Sequence, residues 1–124
     1  MARTTQPAGL RRSNDPPFLI LTSLAAGPKH GHALARDIEA FAGVTLGPGA
    51  LYGAITRLEE RHLIEPLESD DRRRHYQITS SGRQALTAAV RDMRSLADEG
   101  ALRLGLSVVG RAVQPGRTSI GPAR

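Results

Sequence analysis

Apolar positions between residues 15 and 61 recur at spacings of three and four, the period that places them on one face of an α-helix. Glycine and proline divide this region into three predicted helices. The first follows Asp15 and ends at Gly27, the second runs from about residue 31 to 41 and closes at Gly43, and the third opens at Gly47 and Pro48. Their apolar stripes are Phe18, Leu21 and Leu24; Leu34, Ile38 and Phe41; and Leu51, Ile55 and Leu58.

The pattern changes after residue 61. Residues 63–67 and 72–78 read as two strands joined by an acidic turn at 68–71, which predicts a hairpin. Hydroxyl residues at 79–81 then supply caps for a long fourth helix. Its apolar positions step by four and three, as in a helix-to-helix contact, and they predict a dimer interface. These positions are Leu86, Val90, Met93, Ala97, Gly100 and Leu104.

This order of elements predicts a mainly α fold with a small β-hairpin. It is a winged helix-turn-helix over residues 15–79, followed by a long C-terminal dimerisation helix over 80–104. Residues 1–14 and 105–124 are rich in Gly, Pro, Ser, Thr and Arg and lack apolar periodicity. We expect them to be flexible basic arms.

The third helix has one face with little side-chain bulk. Opposite the apolar stripe lie Gly49, Tyr52, Gly53 and Thr56, so that one aromatic ring stands among small residues. Glycine lowers helix propensity, and a helix that tolerates it here indicates that another molecule must come close.

The net charge of +5 is weaker evidence for nucleic-acid binding than its distribution. Residues 15–100 contain ten Lys and Arg against twelve Asp and Glu, a net charge of −2, and the basic excess lies in the two tails. The local run Arg72, Arg73 and Arg74 at the start of the second strand is therefore the informative cationic feature.

Four segments make the chain resemble the PadR-like transcriptional regulators over about residues 18–97. They are residues 27–32, 48–52, 57–64 and 72–79, with Pro-Gly-x-Leu-Tyr in the second and Arg-Arg-Arg-x-Tyr in the fourth. The resemblance implies a regulator whose binding is relieved by an effector, such as a small molecule. We expect a homodimeric repressor that docks two third helices in successive major grooves of a near-palindromic, double-stranded operator.

The residues expected at DNA lie in the turn before the second helix, on the third helix and in the wing. They are Lys29, His30, Gly47, Gly49, Ala50, Tyr52, Gly53, Thr56, Arg72, Arg73 and Arg74. For His30, capping of the turn is the favoured alternative, and for Tyr52 the alternative is packing on the preceding helix.

The chain departs from its relatives at four positions. Relatives commonly have serine at Gly47, threonine at Ala50, lysine at Thr56 and glycine at His62. The first three changes predict an operator recognised partly by shape, through backbone amides, Tyr52 and the wing. At His62 we expect a left-handed or altered exit from the third helix, or a slightly longer helix.

Other functions are weighed against this one. A winged-helix adaptor that binds protein after losing DNA is the alternative, which the missing side-chain donors favour and the arginines oppose. No enzyme, metal or cofactor is expected, because the chain has no cysteine, no nucleophile-base pair and no complete phosphate loop. No apolar stretch approaches the ~20 residues of a membrane span, and we expect a cytoplasmic protein.

Overall fold

The computed structural model describes residues 14–68 and 73–106. Within these residues, four helices and three short strands follow one another in the order predicted, with one additional strand. The helices are α1 (Pro16–Ala25), α2 (Gly31–Ala42), α3 (Pro48–Glu60) and α4 (Ser80–Leu104), and the strands are β1 (Lys29–His30), β2 (Ile64–Leu67) and β3 (His75–Ile78). The mainly α class and the long C-terminal helix are confirmed.

The predicted hairpin is present, but it is part of a three-stranded antiparallel sheet in the order β1-β3-β2. Ile64 pairs with Ile78 in the hairpin, and His30 of β1 pairs with His75 on the other edge of β3. Residues 29 and 30, assigned from the sequence to the turn before the second helix, form β1 in the structure because β3 offers a free edge with which they pair. The second hairpin strand also begins at His75, later than the predicted residue 72.

Helix α1 is the centre of the core. It packs against α2, α3 and β3, and Leu19, Ile20, Leu21 and Leu24 are all buried. The spacing of Phe18, Leu21 and Leu24 predicted a single apolar face, whereas the helix is covered on several sides. Phe18 itself is only partly buried against the core.

Helices α2 and α3 bury the stripes that their periodicity predicts, with one exception. Leu34 and Ile38 of α2 are buried, and so are the predicted stripe residues of α3. Phe41, predicted on the apolar stripe of α2, is 46% exposed. It lies in the last turn of α2, after which Gly43 ends the helix in the left-handed conformation.

The exit from α3 is a Schellman turn built on a residue other than glycine. The amide of His62 donates to the Glu59 carbonyl at 2.9 Å and that of Leu63 to the Leu58 carbonyl at 3.0 Å. His62 has φ of 62°, so the left-handed exit expected from the sequence is present and the helix does not run on.

The start of α4 is locked to this exit. The Thr79 hydroxyl donates to the His62 carbonyl at 2.8 Å and accepts from the Gly82 amide at 3.0 Å, which caps the helix. A Cβ at Gly82 would overlap the Leu63 carbonyl oxygen and would approach Ile78 Cγ1 to 2.7 Å. Only glycine permits this approach of two backbone segments.

The chain divides into two compact units, one ending at Thr87 and the other beginning at Ala88. The first contains the three-helix core, the sheet and the first turns of α4. In the second, the remainder of α4 exposes several large apolar side chains, with exposed fractions of 36% at Val90, 75% at Leu96, 70% at Leu102 and 76% at Leu104.

His62→Gly should stabilise the fold by about 0.5–1 kcal/mol, because glycine adopts positive φ without the steric cost that a Cβ carries. Chemical denaturation monitored by circular dichroism measures the change. Gly43→Ala is the matched control, since Gly43 has φ of 69° and open space around a Cβ. It should destabilise by a similar amount, and a neutral effect of both substitutions would contradict the role assigned to backbone conformation.

Candidate nucleic-acid interface

Helix α3 presents an exposed N-terminal turn. Gly47 is its N-cap and Pro48 occupies the first turn, where no backbone donor is required. Residues 47–50 are all exposed, whereas Leu51, Ala54, Ile55 and Leu58 are buried. The free amides of this turn and the positive end of the helix dipole therefore face outward, an arrangement that attracts anions.

The glycines of this face are not required by packing within the chain. A Cβ added at Gly47 or Gly49 would meet nothing within 4 Å, and one at Gly53 would make only ordinary contact, 3.6 Å, with Arg57. Intramolecular packing thus does not account for the lack of side chains that the sequence shows at these positions. The space is available to a partner surface.

Tyr52 packs on the preceding helix, as the alternative considered from the sequence predicts, and it also remains partly exposed. It is 48% exposed, and its ring also lies against the first residue of α2. A Cβ at Gly31 would overlap the Tyr52 hydroxyl oxygen and would lie 2.8 Å from Cζ. Gly31 is therefore needed for the contact between α2 and α3, a role that the sequence pattern did not predict.

The hydroxyl of Thr56 is hydrogen-bonded within α3. Its Oγ1 donates to the Tyr52 carbonyl one turn earlier at 2.9 Å, a local bond common for threonine within helices. The hydroxyl proton is thus used inside α3, although the residue is exposed. This leaves the exposed face of α3 with few side-chain donors.

The side chain of Lys29 is bonded to other groups of the protein. Its ammonium donates to the Ser23 carbonyl at 2.7 Å and the Gly27 carbonyl at 3.3 Å, and it lies 3.8 Å from an Asp37 carboxylate oxygen. Ser23 in turn donates to Asp37 at 2.6 Å. These contacts join the end of α1 to α2, and they favour a structural role for Lys29 over the DNA contact expected from the sequence.

His30 caps α2, in agreement with the favoured alternative for this residue. Its Nδ1 accepts from the Ala33 amide at 3.2 Å. On the other side of the ring, Nε2 lies 3.2 Å from Nη1 of Arg73. The ring also stacks on His32 and meets His75 edge-on, with centroids 6.4 and 5.4 Å apart.

The wing holds two described arginines just before β3. Arg73 and Arg74 are both exposed and precede the first residue of the strand, so the alternation of a regular strand does not apply to them. Arg72, the third residue of the predicted cluster, lies outside the described residues. The strand that follows is anchored by Tyr76, which is buried.

The surroundings of Tyr76 keep its phenol protonated and neutral. Burial raises the pKa of its phenol, Glu59 raises it further, and Arg74 lowers it. The phenol is therefore neutral across the physiological range and serves as part of the core. Tyr76 belongs to the Arg-Arg-Arg-x-Tyr motif, and its position indicates that this tyrosine holds the wing while the arginines remain outside.

Together these contacts form a continuous surface, which we name the α2-end surface. Tyr52 of α3 lies on Gly31, the neighbouring His30 contacts Arg73, and Arg73 belongs to the wing. The N-terminus of α2 thus connects the exposed face of α3 to the cationic wing. Within residues 14–68 and 73–106, no group of three or more His, Asp or Glu side chains is placed to hold a metal ion.

Comparison with known proteins identifies the family. The model of the transcriptional regulator PadR-like family matches residues 20–88, more than half of the chain. The chain therefore belongs to the PadR-like family of transcriptional regulators, as its resemblance predicted.

None of the helices within the described residues combines the length and apolar character that a membrane crossing requires.

Solved structures share the fold. A PadR family transcription regulator from Clostridium difficile superposes with a TM-score of 0.65 at 22% identity, covering 71% of this chain and 96% of the other. A winged-helix DNA-binding protein from STIV superposes with a TM-score of 0.59 at 17% identity, covering 64% and 87%. These similarities establish a winged-helix architecture.

A relative in sequence is much longer. An uncharacterised 37.1 kDa protein of transposon TN4556 from Streptomyces fradiae is 45% identical over 85 residues, which cover 68% of this chain. The matched segment spans 25% of the length of that protein.

Lys29→Met should lower the free energy of unfolding by about 1–2 kcal/mol, because it removes charge-assisted hydrogen bonds to two carbonyls at a mostly buried ammonium. Urea denaturation measures the change. Arg36→Met, at an exposed position of α2, is the control and should alter stability by less than about 0.5 kcal/mol. Equal effects of the two substitutions would remove the structural role of Lys29.

Proposed function

We propose that the protein is a homodimeric, DNA-binding transcriptional repressor that acts on a near-palindromic operator and is relieved by an effector. The α2-end surface is the observation that carries this proposal. It joins the half-exposed Tyr52 of α3 to the exposed Arg73 of the wing through the N-terminus of α2, and the open first turn of α3 and Arg74 are next to these residues in the chain, as contact with a phosphate-lined groove requires.

Helix α3 enters the major groove with its N-terminal turns foremost. The open space at Gly47 and Gly49 allows the backbone to lie against the DNA, and its free amides donate to phosphate. Ala50 and Gly53 add almost no side-chain bulk to the exposed face of α3. Tyr52, which is half exposed, contacts the sugar-phosphate backbone beside Thr56.

Recognition by this helix depends on shape more than on base-specific hydrogen bonds. The hydroxyl of Thr56 is already bonded to a backbone carbonyl, and glycine and alanine supply no side-chain donors. Specificity then comes from groove width and deformability, read by the wing and by the closeness of the helix. Arg73 and Arg74, with Arg72, supply the cations that a narrow minor groove favours.

The homodimer forms through α4. The predicted interface positions lie on one face of a continuous helix, and Val90, Met93 and Leu104 are exposed or only partly covered within a single chain. Exposed apolar side chains in such a stripe are covered by the same stripe of a second copy. Two recognition helices are then presented to successive grooves.

The adaptor alternative is favoured by one observation, the scarcity of side-chain donors on the exposed face of α3. It predicts that the protein does not retard DNA at low salt. A regulator instead retards the DNA beside its own gene in a gel-shift experiment, with an affinity that falls as salt rises.

Arg73→Ala combined with Arg74→Ala should weaken binding to all DNA sequences. The slope of the logarithm of affinity against the logarithm of salt concentration should flatten by about 0.9 for each phosphate that is no longer neutralised. Fluorescence anisotropy on a labelled duplex, measured across a salt series, gives both quantities.

The control for this variant is Arg91→Ala combined with Arg94→Ala, which removes the same charge from exposed positions of α4. It should leave the salt slope unchanged. An unaltered slope in the wing variant would exclude the wing from the interface, and equal weakening in both variants would indicate attraction by overall charge alone.

Val90→Glu combined with Met93→Glu should dissociate the dimer, because it places two carboxylates in an apolar contact where they cannot be solvated. Sedimentation velocity measures the mass. Ala88→Glu combined with Ser95→Glu adds the same charge to exposed positions on the opposite side of the helix and should remain dimeric. A dimeric Val90/Met93 variant would place the interface elsewhere.

A further inference from the structure

Helix α3 contains one cationic side chain, Arg57, which lies in its last turn. The DNA contacts expected from the sequence do not include this residue. Its side chain is exposed. Among the residues that the structure describes, no group forms a hydrogen bond or an ion pair with the guanidinium, and Glu60, three residues later, does not pair with it. The donors of Arg57 are therefore available to another molecule.

The guanidinium of Arg57 lies over Gly53, one turn earlier in α3. A Cβ placed at Gly53 would be 3.6 Å from Nη1 of Arg57. Helical side chains lean toward the N-terminus of their helix, so a long side chain covers the position four residues before its own. Because Gly53 has no side chain, the arginine is free to extend over the helix. Its charge is thus placed over the part of α3 that the proposed function puts in the groove.

Tyr52 and Arg57 lie at opposite borders of the exposed face of α3. With successive residues about 100° apart around the helix, Gly49, Gly53 and Thr56 fall between them. Tyr52 is packed against the N-terminus of α2. The arginine extends over the same face from the other border, so its donors are separate from those of the α2-end surface.

We propose that Arg57 is a specificity-determining residue, whose guanidinium reads a guanine in the major groove when α3 binds DNA. This role rests on the proposed function, since it requires α3 to enter that groove. The glycines and the alanine at 49, 50 and 53 have no side-chain donor, and the Thr56 hydroxyl is bonded to the Tyr52 carbonyl. Apart from Tyr52 at the other border, Arg57 is therefore the side chain that can donate from this face.

The position of the guanidinium favours a base over a phosphate. The sugar-phosphate backbones flank the groove, so a cation that contacts phosphate extends outward from the border of a recognition helix. The guanidinium of Arg57 instead lies over Gly53, within the face that is nearest to the base edges. The open space at Gly49 allows the helix to come close, which shortens the distance that the side chain has to reach.

The chemistry of the guanidinium selects the base. Arginine has donors only, and they are arranged as a planar fork. In the major groove guanine presents two neighbouring acceptors, N7 and O6, whereas adenine presents one acceptor and one donor. A forked pair of hydrogen bonds therefore requires guanine, and each subunit of the proposed dimer contributes one such contact to its half-site.

Arg57→Gln changes the base that this position can read, because glutamine presents one donor and one acceptor, which match adenine. The probe is a pool of duplexes with about 20 random base pairs, a length that holds two half-sites one helical turn apart. Repeated binding and sequencing with the unmodified protein should enrich sites with a fixed guanine in each half-site. With Arg57→Gln that guanine should be lost, and adenine is the base expected in its place.

Arg61→Gln is the matched control. Arg61 is the C-cap of α3, about one turn beyond Arg57, and it is likewise exposed. The substitution removes the same charge and should select the same sequences as the unmodified protein. Both variants should unfold at the temperature of the unmodified protein, which circular dichroism measures, because neither side chain is bonded to another group within residues 14–68 and 73–106.

The direct contact can also be tested by changing the DNA. In the selected duplex, 7-deazaguanine at the fixed position removes the N7 acceptor and keeps the base pair. It should weaken binding of the unmodified protein about tenfold and leave the affinity of Arg57→Met, which has no donor, unchanged. The same replacement at another guanine of the duplex is the control and should affect both proteins equally. Equal weakening of both proteins at the fixed position would overturn the proposal.

A phosphate contact by Arg57 would give a different result. Arg57→Gln would then weaken binding to all duplexes alike and would flatten the salt slope by about 0.9, while the selected sequences stayed the same. That outcome overturns the proposal. A variant that binds and selects as the unmodified protein does would overturn it as well, since Arg57 would then lie away from the DNA.

The outcomes also separate this inference from the proposed function. If the unmodified protein enriches no duplex at low salt, the repressor fails, and the role of Arg57 fails with it. If it enriches a site in which no guanine depends on Arg57, the regulator stands and the specificity role is overturned.

Discussion

The close contact between the Tyr52 ring and Gly31 is the constraint on which the candidate interface depends. The overlap that any Cβ at Gly31 would cause shows that α2 and α3 meet without room for a side chain. Tyr52 remains half exposed in this contact, which brings α3 beside Gly31, and the neighbouring His30 reaches Arg73. Helix α1 packs against both α2 and α3. Tyr52 therefore packs against Gly31 and at the same time forms part of the candidate interface.

A second junction fixes where α4 begins. The left-handed residue His62 ends α3, its carbonyl accepts from Thr79, and Gly82 lies against the Leu63 carbonyl. Because Thr79 is hydrogen-bonded to both His62 and Leu63, and Gly82 leaves no room for a Cβ, the first turn of α4 cannot shift relative to the end of α3 without breaking these contacts. The end of α3 and the start of α4 are therefore fixed by the same few residues.

The cationic residues of the chain serve different purposes although they look alike in sequence. Lys29 bonds to two carbonyls and pairs with Asp37, so its charge is used to join α1 to α2. Arg73 and Arg74 remain exposed beside the sheet. Glycine shows the same division, since Gly31 and Gly82 are required by contacts within the chain, whereas Gly47 and Gly49 face open space. A count of charges or glycines would not separate these roles.

The sequence by itself determined the helices and the hairpin, because periodicity, caps and the left-handed stop at Gly43 depend on residues within a few positions of one another. The family followed from motif residues in four short segments of the chain. The sequence also identified the exposed face of α3 and the wing arginines as notable. Only the tertiary structure decided that Lys29 turns inward, that Phe41 is exposed, that β1 pairs with β3 and that Gly31 receives Tyr52. The pairing of β1 with β3 and the contact of Gly31 with Tyr52 depend on partners more than twenty positions away, and local spacing contains no information about which distant residue a partner will be. The burial of Lys29 depends on how α1 and α2 pack together, which the spacing of apolar residues does not specify either.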